Sequence, residues 1–271
     1  MADDGVTKPV DAEALVVIEE QDSLALVRLA RASKRNALTR AMLERLTEIF
    51  EGFAGRRDLR AVVLCGEGRE AFCAGTDIAE LAALDEEAAR RVSERGQRAC
   101  EAIERCGVPV VAAIEGAAAG GGFELALACH LRIASAEARF SLPETRLGLI
   151  PGYGGTQRLA RAIGDARALS LMLAHESLAA DEALRVGLVN RVVEAGETVA
   201  EAVRLARVIS EQSAPLAVRA CLEAVTRGAR VSLDEGLALE AALFSRLFST
   251  RDVREGTRAF LEKRPPVFTG E

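Results

Sequence analysis

The chain has 271 residues, 49% hydrophobic and 28% charged, with 23 Gly, 7 Pro and a formal net charge of -6. Apolar content this high, with no long block of like charge, excludes low-complexity disorder and predicts one large globular domain or a domain with an appendage. The negative balance disfavours nucleic acid, which wants a basic field, and leaves room for a small anion held by a local basic cluster. The longest low-charge stretch, 108–130, is broken by Glu115, Glu124 and several glycines, so no membrane span is expected. The acidic start, Met1 to Gly5, carries neither an apolar secretion core nor an Arg-rich amphipathic pattern, and a cytoplasmic location is expected.

In chain order, 14–18 and 24–30 read as strands joined by the polar turn Gln21-Asp22-Ser23. Apolar positions at Met42, Leu43, Leu46, Ile49, Phe50 and Phe53 have helical spacing over 40–53, and Ala61 to Cys65 follows as a buried strand. A long helix over 86–105 leads to a strand at 108–114, a Gly-rich turn at 116–122, an apolar helix to 129, and short strands at 131–134 and 138–141. Such alternation predicts an α/β core with parallel pairing. A helical stretch at 154–185 and a short strand at 187–193 follow, and 196–263 reads as helix. The expected organisation is a core over 1–195, with 1–13 flexible, and a helical C-terminal region over 196–271. No internal repeat of fixed period stands out.

Cys65, Cys73, Cys100, Cys106, Cys129 and Cys221 form no C-x-x-C pair, which predicts buried free thiols rather than disulfides or a zinc site. The two histidines, His130 and His175, are too few for a His-rich metal cluster and read as structural.

Gly116 to Glu124 lies between a buried strand and an apolar helix. Glycines there permit close backbone approach to a ligand, and the helix start offers unpaired N–H groups, although a tight turn without ligand has the same pattern. Neither a dinucleotide fingerprint nor a phosphate loop fits. A second glycine turn runs from Phe72 to Ile78, and two such turns can aim one amide each at a single carbonyl oxygen. Glu124 stands in an otherwise apolar helix and Glu144 follows Pro143 in an apolar run. Partly buried carboxyls of this kind can do acid/base work near neutrality; a helix-terminal charge for Glu124 and an ion pair with Arg146 for Glu144 are the alternatives.

These segments, with Arg31 to Leu38, Ala71 to Ile78, Phe140 to Glu144, Leu147 to Leu159 and Phe260 to Phe268, resemble the enoyl-CoA hydratase/isomerase (crotonase) superfamily from Ala30 to Phe268. The resemblance implies a crotonase-like spiral of ββα units with a C-terminal α-helical trimerisation region, trimers or paired trimers, and an acyl-CoA thioester as substrate. By position it assigns the oxyanion amides to Thr76 and Gly121, activation of a water to Glu124 and proton delivery to Glu144, with the two roles open to exchange. It implies neither metal nor redox cofactor. Hydratases of the family use two glutamates, which favours hydration of a 2-enoyl-CoA over Δ3,Δ2-isomerisation or a non-catalytic acyl-CoA-binding role. The basic cluster Arg31, Lys34 and Arg35, together with Ala74, Asp77 and Ile78, is implied to meet substrate and CoA, and Phe244 and Lys263 to reach CoA from a neighbouring subunit. Thr76 stands where hydratases commonly have Ala, Leu142 replaces a residue polar in some relatives, and Tyr153, the only tyrosine, lies in the loop after Pro151.

Overall fold

In a computed structural model, residues 15–271 are described; the expected flexible segment 1–13 lies outside them. Strands β1 (Val16–Gln21) and β2 (Leu24–Leu29) form the antiparallel opening hairpin. Then come α1 (Arg40–Phe53), β3 (Ala61–Gly66), β4 (Ala71–Cys73), α2 (Glu86–Arg105), β5 (Val110–Ile114), β6 (Ala117–Ala119) and α3 (Gly121–Ala128). Strands β7 (Leu131–Ser135) and β8 (Arg139–Ser141) precede α4 (Gly155–Ile163), α5 (Asp165–Leu173), β9 (Leu178–Ala179), α6 (Ala180–Arg185) and β10 (Arg191–Val193). Helices α7 (Thr198–Gln212), α8 (Pro215–Gly228), α9 (Leu233–Leu247) and α10 (Arg251–Glu262) complete the chain.

Two sheets organise the core. One has the order β1-β2-β3-β5-β7-β10 and is parallel after the hairpin; the other, β4-β6-β8-β9, is parallel until β9. Each turn of the chain lays one strand in the large sheet, one in the small sheet, and then a helix: β3-β4-α2, β5-β6-α3 and β7-β8-α4. The first turn is abbreviated, with β2 followed by a single bridge from Leu38 to Thr76 and then α1. This is the expected spiral of ββα units. Its turns begin at Leu24, Ala61, Val110 and Leu131, unevenly spaced, which is why no fixed period shows in the sequence.

The large sheet is covered on both faces. Val62 and Leu64 of β3 enter the main core with Phe50, Phe72 and Phe123, whereas Ala61, Val63 and Cys65 face a second cluster closed by Ala202 and Ala206 of α7. A strand buried on both sides reads as a continuous apolar run, as 61–65 does.

Several expectations need correction. The Gly-rich turn at 116–122 contains β6, and the second glycine turn begins inside β4. The helical stretch at 154–185 divides into α4, α5 and α6 with β9 between, because Gly164 at φ +85° ends the first piece. The strand at 187–193 shrinks to Arg191–Val193, and 196–263 divides into four helices, α8 starting with Pro215 at its first turn and α9 with a Ser232/Glu235 capping box. Five cysteines are buried free thiols, but Cys221 is exposed on α8, since that helix buries none of its residues fully.

Candidate active site

The two glycine turns, far apart in sequence, are adjacent because β4 and β6 pair side by side. A Cβ built on Gly75 would stand 3.0 Å from Ala119 O, 3.5 Å from Gly121 N and 3.6 Å from Gly120 Cα. That contact is tighter than a side chain ordinarily makes, and Gly75 also holds φ at +101°, a conformation that favours glycine. The bridge to Leu38 then orients Thr76. Leu38 N–H donates to Gly75 O (2.7 Å) and Asp77 N–H donates to Leu38 O (2.8 Å), so Thr76 turns its own N–H to the opposite side, toward the end of β6. Gly121 is the first residue of α3, where an amide has no intrahelical acceptor. Neither amide donates to another group among the described residues. Two such donors, one at a helix N-terminus, suit an oxygen that gains negative charge.

Glu124 lies one turn into α3, 1% exposed, its own N–H donating to Gly120 O (3.0 Å). Its Oε1 accepts from Tyr153 N–H (2.7 Å) and from Gly155 N–H (2.6 Å), the first amide of α4. The carboxyl of one helix thus caps the N-terminus of the next. Burial nevertheless dominates and raises its pKa to about 7; the two amides pull it down, and the Glu144 carboxylate pushes it further up.

Glu144 opens a short 3₁₀ turn, Glu144–Leu147, after Pro143. Its Oε1 lies 3.1 Å from where a Cβ of Gly120 would stand, so the carboxyl borders the glycine that joins β6 to α3. Its Oε2 is buried and engages no donor among the described residues, so the expected alternative of an ion pair with Arg146 is not what places it. Burial raises this pKa too. Two carboxyls with raised pKa values that sense one another, Glu124 and Glu144, thus lie in the same region as the two free amides, with Glu144 bordering Gly120. Leu142, two residues earlier, is fully buried in the core.

The loop 151–155 completes the site, and its amides were not legible as Glu124 partners in the sequence. The available signal was a Gly-rich run ahead of a helix start, a place suited to a carboxylate. Arg158 fixes this loop by donating to Tyr153 O (3.0 Å) while pairing with Glu104 (3.0 Å), which also meets Arg230 across from the helical region (2.5 Å). Tyr153 Oη accepts from Thr76 Oγ1 (2.8 Å), so the β-branched side chain at the amide-bearing position is tied back to the loop.

The basic cluster is only partly as expected. Arg31 is no flexible cation: it pairs with Asp77 (2.8 Å) and donates to Ala37 O (3.1 Å), and it holds the Asp77 carboxyl below the usual range. Asp77 in turn caps the turn Ile78–Glu80 by accepting from Ala79 N–H (3.1 Å). Lys34 and Arg35 are exposed, Arg35 pairing with Glu70 (3.3 Å). Ala74 is exposed and donates its N–H to Arg35 O (2.9 Å), while Ile78 is exposed beside them. Asn36, which the sequence reading passed over, locks this loop. It is fully buried at φ +57° and donates to Glu67 O (3.0 Å) and Ala71 O (2.9 Å), while its Oδ1 accepts from Arg31 N–H (3.0 Å). Phe244 on α9 is exposed and meets Phe248 edge-on, and Lys263 ends α10; no hydrogen bond or ion pair joins either to the cluster among the described residues. His130 accepts from Val110 N–H through Nδ1 (3.0 Å), a structural use that fits the expectation.

The family profile described as enoyl-CoA hydratase/isomerase matches residues 19–271. The chain is 39% identical to a short-chain-enoyl-CoA hydratase of Clostridium acetobutylicum, over 92% of this chain and 95% of that protein. It is 37% identical to a crotonyl-CoA hydratase of Syntrophomonas wolfei, over 93% and 97%. The crystal structure of an enoyl-CoA hydratase from Bacillus anthracis superposes with a TM-score of 0.91 at 39% identity, covering 95% of this chain and all of that one. With fold, paired glycine turns and full-length similarity in agreement, the chain belongs to the enoyl-CoA hydratase/isomerase family.

Proposed function

We propose that the protein is an enoyl-CoA hydratase that adds water across the C2=C3 bond of a 2-enoyl-CoA to give a 3-hydroxyacyl-CoA. The observation that carries this reading is the pair of carboxyls, buried Glu124 and half-buried Glu144, near enough for the charge of one to raise the pKa of the other, with Glu144 bordering Gly120 where the turns bearing the unpaired amides of Thr76 and Gly121 meet. The thioester oxygen accepts from those two amides, which polarises the conjugated system and makes C3 electrophilic. Glu124 takes a proton from water as the oxygen bonds to C3, and Glu144 gives a proton to C2 as negative charge leaves the thioester oxygen. The pair starts and ends with one proton between its two members, so neither a metal nor a redox group enters the step as proposed.

The hydratase names of the relatives support this reading. Isomerisation needs one base and no water, so it would leave Glu144 without a task. The exposed cations Lys34 and Arg35, with Ala74, Asp77 and Ile78 nearby, are proposed to receive the CoA portion, whose phosphates suit them. Phe244 and Lys263 are proposed to act on CoA bound by a neighbouring copy in a homotrimer or a dimer of trimers. The exposed apolar residues of the helical region, including Leu233, Phe248, Phe260 and Leu261, support such an assembly.

The test is hydration of crotonyl-CoA, followed as loss of the conjugated-thioester absorbance. Glu124→Gln and Glu144→Gln are each expected to lower kcat by at least about 100-fold with little change in KM. Full turnover in either variant sinks the two-carboxyl mechanism. A protein that leaves crotonyl-CoA untouched yet conjugates a 3-enoyl-CoA is an isomerase.

A further inference from the structure

Tyr153 occupies the space beside the two amide-bearing residues. Its ring is seated so closely on α2 that a Cβ on Gly96 would fall 2.0 Å from Cδ1, and so closely on α3 that a Cβ on Gly121 would fall 2.7 Å from Cε2. Glycine inside a helix is unfavourable, and the ring supplies the reason for Gly96: no other residue would admit it. The phenol oxygen meets Thr76 Oγ1 at 2.8 Å, and the backbone of the same residue donates to Glu124. Helix α2 grips the loop further, with Ser93 Oγ and Gln97 Nε2 both donating to Gly152 O (2.6 and 3.1 Å). The residue is 4% exposed, so the ring is a fixed wall rather than a swinging side chain.

We propose that Tyr153 limits the length of the acyl chain, closing the pocket behind C4 and selecting short enoyl thioesters of crotonyl size. This inference rests on the acyl-CoA reading above. With the thioester oxygen on the Thr76 and Gly121 amides and C3 at Glu124, the tail beyond C3 passes Glu124 toward the segment that holds it. That segment is the loop bearing Tyr153, and the ring fills the gap from Gly121 and Thr76 to α2. Lengthening the chain therefore requires the ring to leave a site packed on two helices and bonded to Thr76.

The experiment compares 2-enoyl-CoA substrates from four to ten carbons in the native protein, Tyr153→Ala, Tyr153→Leu and Tyr153→Phe, with butyryl-CoA and decanoyl-CoA affinities measured alongside. In the native protein kcat/KM is expected to fall at least tenfold from crotonyl-CoA to 2-decenoyl-CoA, about the discrimination that a filled apolar pocket supports. Tyr153→Ala and the more conservative Tyr153→Leu are expected to raise the decenoyl-to-crotonyl ratio by about tenfold or more, whereas Tyr153→Phe, which keeps the ring, leaves the ratio within about threefold. A ratio unmoved in folded Ala or Leu variants, or a native preference for the long chain, overturns the proposal; the tail would then leave over exposed Leu147, Leu149 and Ile150. If crotonyl-CoA is bound but not hydrated, the hydratase reading fails alone and the butyryl-to-decanoyl affinity ratio still decides the role of Tyr153. Absence of acyl-CoA binding overturns both.

Discussion

The carboxyl of Glu124 is held between two opposing effects: burial raises its pKa to about 7, while amide bonds from Gly155 and Tyr153 restrain the rise. For activity the pair must hold one proton, so the kcat/KM profile is expected to be bell-shaped, falling on the acid side as both carboxyls become protonated and on the alkaline side, from about pH 7, as the last proton leaves. The same shift bears on stability. A carboxyl with a higher pKa in the folded than in the unfolded chain binds more protons when folded, so its contribution is complete below about pH 4.5 and is lost as pH rises through about 7. Glu124→Gln keeps an oxygen for the two amides and removes the charge. It is expected to stabilise the protein above pH 8 by on the order of 1–3 kcal/mol, fading toward pH 5, while activity is lost. Urea denaturation of both proteins at pH 5 and 8 checks this, and an equal difference at both pH values would contradict it. The odd carboxyl in an apolar helix was readable from sequence; its acceptance of amides from the next helix was not, because those donors lie about thirty residues on, in a loop whose backbone directions no pattern encodes.

At the scale of elements, the site depends on how closely α3 can approach β4. Gly122 decides that distance: a Cβ there would stand 2.3 Å from Cys73 O and 2.5 Å from Cys73 Cβ, and backbone cannot give way as a flexible side chain would. Gly122→Ala is expected to destabilise by about 1–3 kcal/mol and to lower kcat further than stability alone explains, because α3 carries both Gly121 and Glu124. Thermal unfolding and turnover of the same preparation test the pair of effects; unchanged values in both refute it. The helices and the strands of the large sheet were legible in outline, since periodicity marks α1 and α2 and continuous apolar runs mark β3 and β5. Strands β4 and β6 were not. Three residues such as Ala117–Ala119 have little strand preference of their own and exist because neighbours in the spiral pair with them. The same limit applied to Arg31, whose positive charge was visible but whose partner, Asp77, is reached only through the bridge of Leu38 to Thr76.

For the whole molecule, the helical region leaves Leu233, Phe260 and Leu261 between 77% and 83% exposed, an apolar surface that water disfavours. The proposed trimer or paired trimer is expected to appear in sedimentation at micromolar concentration. Phe260→Glu combined with Leu261→Glu should shift the protein toward monomer and weaken CoA binding, since Phe244 and Lys263 then face no neighbour. A native chain that sediments as a monomer with full activity would rule this out. No described helix is long and apolar enough to cross a membrane. The sequence by itself determined the α/β class, the positions of α1 and α2, the two glycine turns and the two candidate carboxyls, because periodicity, glycine and charge in apolar surroundings are local properties. Only the tertiary structure decided that the turns meet, that Glu124 caps α4 and that Tyr153 stands against Gly121 and Thr76. Those are contacts between segments tens of residues apart, created by successive turns of the spiral laying their short strands side by side.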